Sequence, residues 1–371
     1  MSPTRHAPMR HEEFLALKRF PALDGVRAIA ALLVVFFHNQ GPDLLQGWLG
    51  VQVFFVLSGF LITTLLLREH ARNGRINLPN FYRRRAFRIL PMYFVVLLLT
   101  AAGLLVAGQF SANPLGRDFW LYLVFFNEFG LGGPYGHSWS LGIEQKFYLL
   151  WPLLAFTLFP RSRPLVTAAL MALALAIIPF TVSSDPKGWS VHYFTVLIGC
   201  ALAMVMHHPR GYALVKPLTR PWVVGAVCLA FLGAHLSVAT VSTLLDNAVP
   251  GIPGFVAVVP LYAIAAALLL PALLAPGLPQ RLLSTRLMVY LGERSYSIYL
   301  VQSIAHGIVV VVAPGAAGLL LAVPTSLVAI GLADLCYRFV ERPLIELGRR
   351  REALSAGSHR PLGNAAEPVG K

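Results

Sequence analysis

Apolar residues in this chain fall into runs of about twenty, separated by short polar segments. Crossing the roughly 30 Å hydrocarbon core of a bilayer takes roughly 20 helical residues, so each run predicts a membrane-spanning helix. Ten runs qualify, at about 21–39, 48–67, 89–108, 139–159, 165–182, 190–206, 222–240, 252–275, 287–313 and 317–340. The stretch FWLYLVFFNEF at 119–129 is apolar but too short to cross, and reads as re-entrant or interfacial. The fold class expected is all-α: a polytopic helical membrane protein with about ten transmembrane helices plus one short re-entrant or interfacial segment. Residues 1–20 form a polar N-terminal segment, 21–350 the transmembrane domain, and 351–371 a tail rich in Ala, Gly, Pro and Ser that reads as disordered.

Polar residues that interrupt the apolar runs are the candidates for chemistry. The first run, LDGVRAIAALLVVFFH, carries Asp24, Arg27 and His38. On a helix, Arg27 and His38 fall within about 20° of one face over roughly 16 Å of rise, and Asp24 within about 40° of it. A charge inside a bilayer helix costs roughly 2.5 to 3.5 kcal/mol, so this stripe is expected to face a protein interior or a wet cavity. His38 reads as a group that takes and returns a proton near neutral pH, or as an interfacial histidine bonded to a loop carbonyl. Asp24 and Arg27, three apart, are placed to neutralise one another.

HSWSLGIEQKFY sets His137 and Glu144 seven residues apart, close to one helical face, with Tyr148 a turn beyond Glu144. Ser138 and Ser140 suit helix capping, while a buried Glu144 suits orienting a histidine or binding an amine or hydroxyl. FYRRRAFRILPMY concentrates Arg83, Arg84, Arg85 and Arg88. Their guanidinium forks fit anionic lipid head groups, or a phosphate-bearing ligand such as a nucleotide or coenzyme A. Gly47, Gly50, Ser58 and Gly59 in the second run permit close helix packing. GERSYSIYLVQSIAH brings Ser295, Tyr296, Ser297, Tyr299, Gln302 and His306 into one span, as interhelical glue or as the wall of a hydrated cavity that admits a polyhydroxyl acceptor.

Composition narrows the class. With 57% hydrophobic and 12% charged residues, a chain of 371 residues cannot hide its apolar surface in a soluble core. The net charge of +14 does not point to nucleic acid, because 25 of the 30 Lys and Arg residues fall in alternate inter-span segments. The positive-inside rule therefore selects ten spans with both termini cytoplasmic. Cys200, Cys228 and Cys336 sit in apolar runs without metal-ligand spacing and read as packing residues. No internal repeat is evident, which weighs against a transporter built on inverted repeats.

These motifs resemble the membrane acyltransferase 3 family, which O-acylates surface polysaccharides, lipid-linked glycans and some macrolides. The resemblance spans about 20–350 and rests on LDGVRAIAALLVVFFH, GWLGVQVFFVLSGFLIT, FYRRRAFRILPMY, HSWSLGIEQKFYLLWP, SYSIYL and the closing ERPL at Glu341. It implies a bacterial cytoplasmic membrane enzyme that takes an acyl group from acyl-CoA, acetyl-CoA foremost. The acceptor it implies is a hydroxyl of a glycan, lipid-linked sugar or macrolide. Membrane lipids are the other partners, with no metal and no nucleic acid. His38 and Arg27 are implied as the essential pair, Glu144 as part of the active site, and Arg84, Arg85 and Arg88 as binding donor phosphates. Asp24, Ser58, His137, Ser138, Trp139, Tyr148, Ser295 and Tyr299 are assigned to acceptor binding or structural support. Where the family often has a histidine just after SYSxYL, this chain has Gln302, with His306 one turn on. The family's fused extracytoplasmic hydrolase-like domain is not expected here.

The mechanism expected has His38, oriented by Glu144 or another neighbour, deprotonating the acceptor while Arg27 stabilises anionic charge; a transient acyl-histidine is the variant. The donor's thioester then has to travel about three helical turns past Arg27 to reach His38. A transporter or flippase for an acidic or lipid-linked substrate, and a non-catalytic scaffold, are the competing classes.

Overall fold

The computed structural model describes residues 7–182 and 188–357. Arg5, Lys187 and the end of the expected disordered tail lie outside the described residues. A short helix α1 (His11–Ala16) precedes the long α2 (Pro21–His38), α3 (Gly50–Asn73) and α4 (Leu78–Val106). Short α5 (Pro114–Arg117) and α6 (Phe119–Leu123) lead to α7 (Trp139–Pro152), α8 (Arg163–Thr181) and α9 (Trp189–His207). After α10 (Pro209–Val215) come α11 (Pro221–Ala248) and α12 (Gly254–Leu274), then the short α13 (Leu278–Leu283) and α14 (Arg286–Glu293). α15 (Ser295–Val312), α16 (Leu319–Cys336) and α17 (Arg342–Gly357) close the chain. There is no strand among the described residues.

Nine helices among the described residues are long and apolar enough to cross a membrane. The expected span at 139–159 is built differently. α7 has 14 residues, and a π-helical turn of six, Leu153–Leu158, continues it. Pro152 at the junction has no N–H to donate, which loosens the α-helical ladder where the hydrogen-bond register changes. The expected re-entrant stretch is α6 followed by a 3₁₀ turn at Asn127–Phe129, neither long enough to cross.

Two expected boundaries are corrected. The arginine-rich loop at 68–88 is mostly helix. α3 runs on to Asn73 and is ended by Gly74 at φ +70°, and α4 already starts at Leu78. Asn77 caps α4 by accepting the Asn80 amide at 3.0 Å, and Pro79 sits in its first turn. Arg83, Arg84, Arg85 and Arg88 thereby gain fixed helical directions. The run 287–313 breaks at Arg294, which lies between α14 and α15 and pairs with Asp334 of α16 at 2.8 Å.

α3 and α9 form the closest helix pair of the interior. A side chain on Gly59 would strike the backbone of Val196, and one on Gly199 the backbone of Val56, so each helix lacks a side chain where the other crosses. α8 and α11 lie at the periphery with most of their surface open. The N-terminal segment is tied across α3 by Arg68, which donates to Leu17 O at 2.6 Å and lies 5.1 Å from the Phe20 ring.

Candidate active site

A cavity of about 700 Å³ opens at the basic end of the bundle, between α2, α3, α4, α7, α15 and α17. On α3 it extends from Arg68 to Val51, seventeen positions or about 26 Å of rise. Nine cationic side chains line it against five carboxylates. Lys18 and Arg19 from the N-terminal segment, and Arg342 and Arg349 from α17, belong to that lining, so both ends of the described chain meet at the basic end.

Inside, Arg27 approaches Asp24 only to 3.8 Å, a loose contact that leaves most of its donors unused. Arg84 is held by Glu69 at 3.3 Å. Arg85 reaches over the Tyr148 ring at 5.9 Å, and its Nε is buried without a hydrogen-bond partner among the described residues. Thr64 Oγ1 and Ser295 Oγ, also on the lining, are likewise unpartnered. Glu144 accepts a hydrogen bond from Ser58, whose oxygen accepts one from Tyr148 at 3.2 Å. Glu341 of the ERPL motif accepts from Ser297 of SYSIYL, so the two motifs form one contact. Cations and hydroxyls in excess of their partners among the described residues give this cavity the chemistry to take an anion.

On α7 and α15 the lining reaches Ser140 and Tyr299. The Tyr299 hydroxyl donates to the carbonyl of His137, and Ser140 Oγ lies 2.8 Å from it. Beyond this pair lies a second polar group. His137 bonds through Nε2 to Leu300 O at 3.3 Å, with Ser303 Oγ 3.2 Å from its Nδ1. His38 lies with its ring 6.2 Å from that of His137, exposed at the end opposite the arginines. Its Nδ1 donates to Val34 O at 3.0 Å, which directs the lone pair of the neutral ring to Nε2. His306 meets Asn39 Oδ1 at 2.8 Å in the same region.

The start of α7 is held from the re-entrant segment. Asn127 Nδ2 donates to Ser138 O at 2.6 Å and Ser138 Oγ at 2.9 Å. Lys146 donates to Phe125 O at 2.6 Å and Glu128 Oε1 at 2.5 Å, and a side chain on Gly142 would strike both Glu128 and Asn127.

Of the residues singled out from sequence, Asp24, Arg27, Ser58, Arg84, Arg85, Arg88, Glu144, Tyr148, Ser295 and Tyr299 all line the cavity. His38 and His137 do not, and Glu144 does not orient His38. The reason is that His137 sits in a 3₁₀ turn before α7, beyond Ser140 and Tyr299, while Glu144 points into the basic cavity with Ser58. Ser138 makes no capping bond to α7 and donates to Tyr135 O at 2.7 Å instead. Trp139 packs its ring 4.7 Å from His192. Sequence reasoning missed the Lys146–Glu128 clamp and the His192–Gln52 pair at 3.2 Å. A lysine inside an apolar run, seen only as a charge, was the available signal for the first.

The fold defines a multi-pass helical membrane protein with a deep basic cavity at one end. Residues 20–338 match the acyltransferase domain family, and the chain belongs to that family. It is 30% identical over 370 residues to the O-acetyltransferase OatA of Staphylococcus aureus (strain NCTC 8325 / PS 47), covering 91% of this chain and 59% of that protein. It is 28% identical over 359 residues to the peptidoglycan O-acetyltransferase OatA of Listeria monocytogenes, covering 89% and 56%. The chain therefore spans a little over half the length of these relatives. No solved structure matches it.

Proposed function

We propose that this protein is an O-acetyltransferase that takes the acetyl group of acetyl-CoA from the cytoplasm and passes it to a hydroxyl of a glycan presented on the opposite side of a bacterial cytoplasmic membrane. The observation that carries the reading is the basic cavity, deep enough to receive an extended donor and lined by Arg85 with an unpartnered Nε. Arg85 and Arg88 hold the donor's phosphates. Arg27 is eleven residues from His38 on one unbroken helix, about 16 Å away along its axis. It therefore acts on the donor rather than on charge that develops beside His38. Glu144, aligned by Ser58, accepts N–H groups of the donor's amide-bearing arm.

At the far end, His38 Nε2 accepts the proton of the acceptor hydroxyl. The hydroxyl oxygen adds to the thioester carbonyl, the C–S bond breaks, and the proton passes to the departing thiolate of coenzyme A. Both termini are cytoplasmic in this arrangement, a reading that the charge distribution supports. The relatives named for O-acetyl transfer, one of them for peptidoglycan, support acetyl as the group and a glycan as the acceptor.

The test is acetyl transfer from labelled acetyl-CoA to cell-wall glycan in proteoliposomes. His38→Ala is expected to lower the rate by about 10² to 10⁴, the usual worth of a general base, with donor binding retained. Full transfer by this variant, in protein that still inserts, would overturn the mechanism.

A further inference from the structure

His38 is not among the residues that line the cavity: on α2 the lining includes Asp24 and Arg27, on α15 it reaches Tyr299, and on α3 it reaches Val51 in the first turn. Tyr299, 5% exposed, stands between the cavity and the His137 ring. Its hydroxyl is latched to the carbonyl of His137 and meets Ser140, its ring lies 5.4 Å from the His137 ring, and Phe54 flanks it at 6.5 Å. The His137 ring in turn faces His38.

Resting on the reading that a thioester donor fills the cavity, the geometry points to Tyr299 as the residue that separates donor from base and limits the length of the acyl group transferred. A two-carbon acyl group passes the ring edge between Tyr299 and Phe54 and presents its carbonyl on the His38 side. A longer chain has to displace a side chain latched at its hydroxyl and flanked by the His137 and Phe54 rings. Transfer itself is unchanged: the acceptor oxygen bonds to the acyl carbon, the C–S bond breaks, and the acceptor proton travels through His38 Nε2 to the thiolate. Tyr299 takes no proton and forms no bond to the acyl group, so it is a positioning and selecting residue.

Two measurements on the full chain in proteoliposomes test this. The first is the ratio of hexanoyl to acetyl transfer for the wild type, Tyr299→Phe and Tyr299→Ala. Tyr299→Phe keeps the ring and is expected to keep the acetyl preference. Tyr299→Ala is expected to raise the hexanoyl share by about tenfold or more, the scale at which one methylene is discriminated in an apolar pocket. The second does not depend on activity. A cysteine placed at Ser303, behind the partition, is exposed to a small anionic methanethiosulfonate added at the basic end. Modification is expected to be slow with Tyr299 and faster with either variant, because each loses the latch to the His137 carbonyl. Tyr299→Leu carries both measurements if the alanine variant does not fold. An acyl ratio unchanged in Tyr299→Ala or Tyr299→Leu where transfer persists, or labelling no faster without the latch, overturns the inference. If the wild type transfers no acyl group from any acyl-CoA, the donor reading fails instead, and the labelling still decides whether Tyr299 is the partition.

Discussion

The residues of the cavity differ in how far their partners are already supplied, and that decides which substitutions are expected to matter. Arg84 spends its charge on Glu69, whereas the Arg85 Nε has no partner among the described residues. A charge-assisted hydrogen bond to a ligand is worth about 1.5 to 3 kcal/mol, so Arg85→Ala is expected to raise the KM for acetyl-CoA by about tenfold or more, with kcat little changed. Steady-state kinetics check this, and an equal loss in kcat would assign Arg85 to the transition state instead. Ser58 both donates to Glu144 and accepts from Tyr148. Ser58→Ala is expected to weaken donor binding by releasing the carboxylate, a change readable by titration with a non-hydrolysable acyl-CoA analogue. Most of this cluster was legible in the sequence, because charged residues inside apolar runs need a reason. Which of two arginines one residue apart has a carboxylate partner was not, since Glu69 comes from the preceding helix.

At the scale of elements, the site depends on two packing devices. The α3–α9 crossing leaves no room for side chains at Gly59 and Gly199. Gly59→Val is expected to force the helices apart at the cost of at least about 1 to 3 kcal/mol, the range for overpacking, seen as a lower melting temperature in detergent. The second device is the clamp from Lys146 to Glu128, whose side chain is 2% exposed. Lys146→Met strands that carboxylate and is expected to cost about 3 to 5 kcal/mol, most of it regained in the double variant Lys146→Met with Glu128→Leu. A double variant no more stable than the single one would show that the clamp is not an ion-pair effect. The glycines of the second run read correctly as close-packing positions. The clamp did not read at all, because its partners are eighteen residues apart and meet only when the re-entrant segment folds back on α7. The helix ends around the arginines, by contrast, were signalled locally by Gly74, Asn77 and Pro79, and the hydropathy runs alone placed them wrongly.

For the whole molecule, the arrangement places the arginine cavity and both ends of the described chain on one side and His38 on the other. With cysteines introduced singly at the exposed positions Asn73 and Asp43, an impermeant thiol reagent is expected to reach Asp43→Cys from outside intact cells and Asn73→Cys only after the membrane is opened. The reverse pattern would overturn the orientation and, with it, a cytoplasmic donor. The chain's hydropathy period, charge asymmetry and motifs determined by themselves that it is a polytopic helical membrane protein, which end is basic, and which polar residues stand out. Those properties depend on neighbours within one span and on transfer from water to lipid, both local to the sequence. Only the tertiary structure decided that Arg27 lines the basic cavity while His38, on the same face of one helix, does not. Ser140 and Tyr299 arrive from α7 and α15, 159 residues apart in the chain, to meet on that lining. No spacing rule within a single helix carries that information, because a cavity is bounded by side chains from different helices.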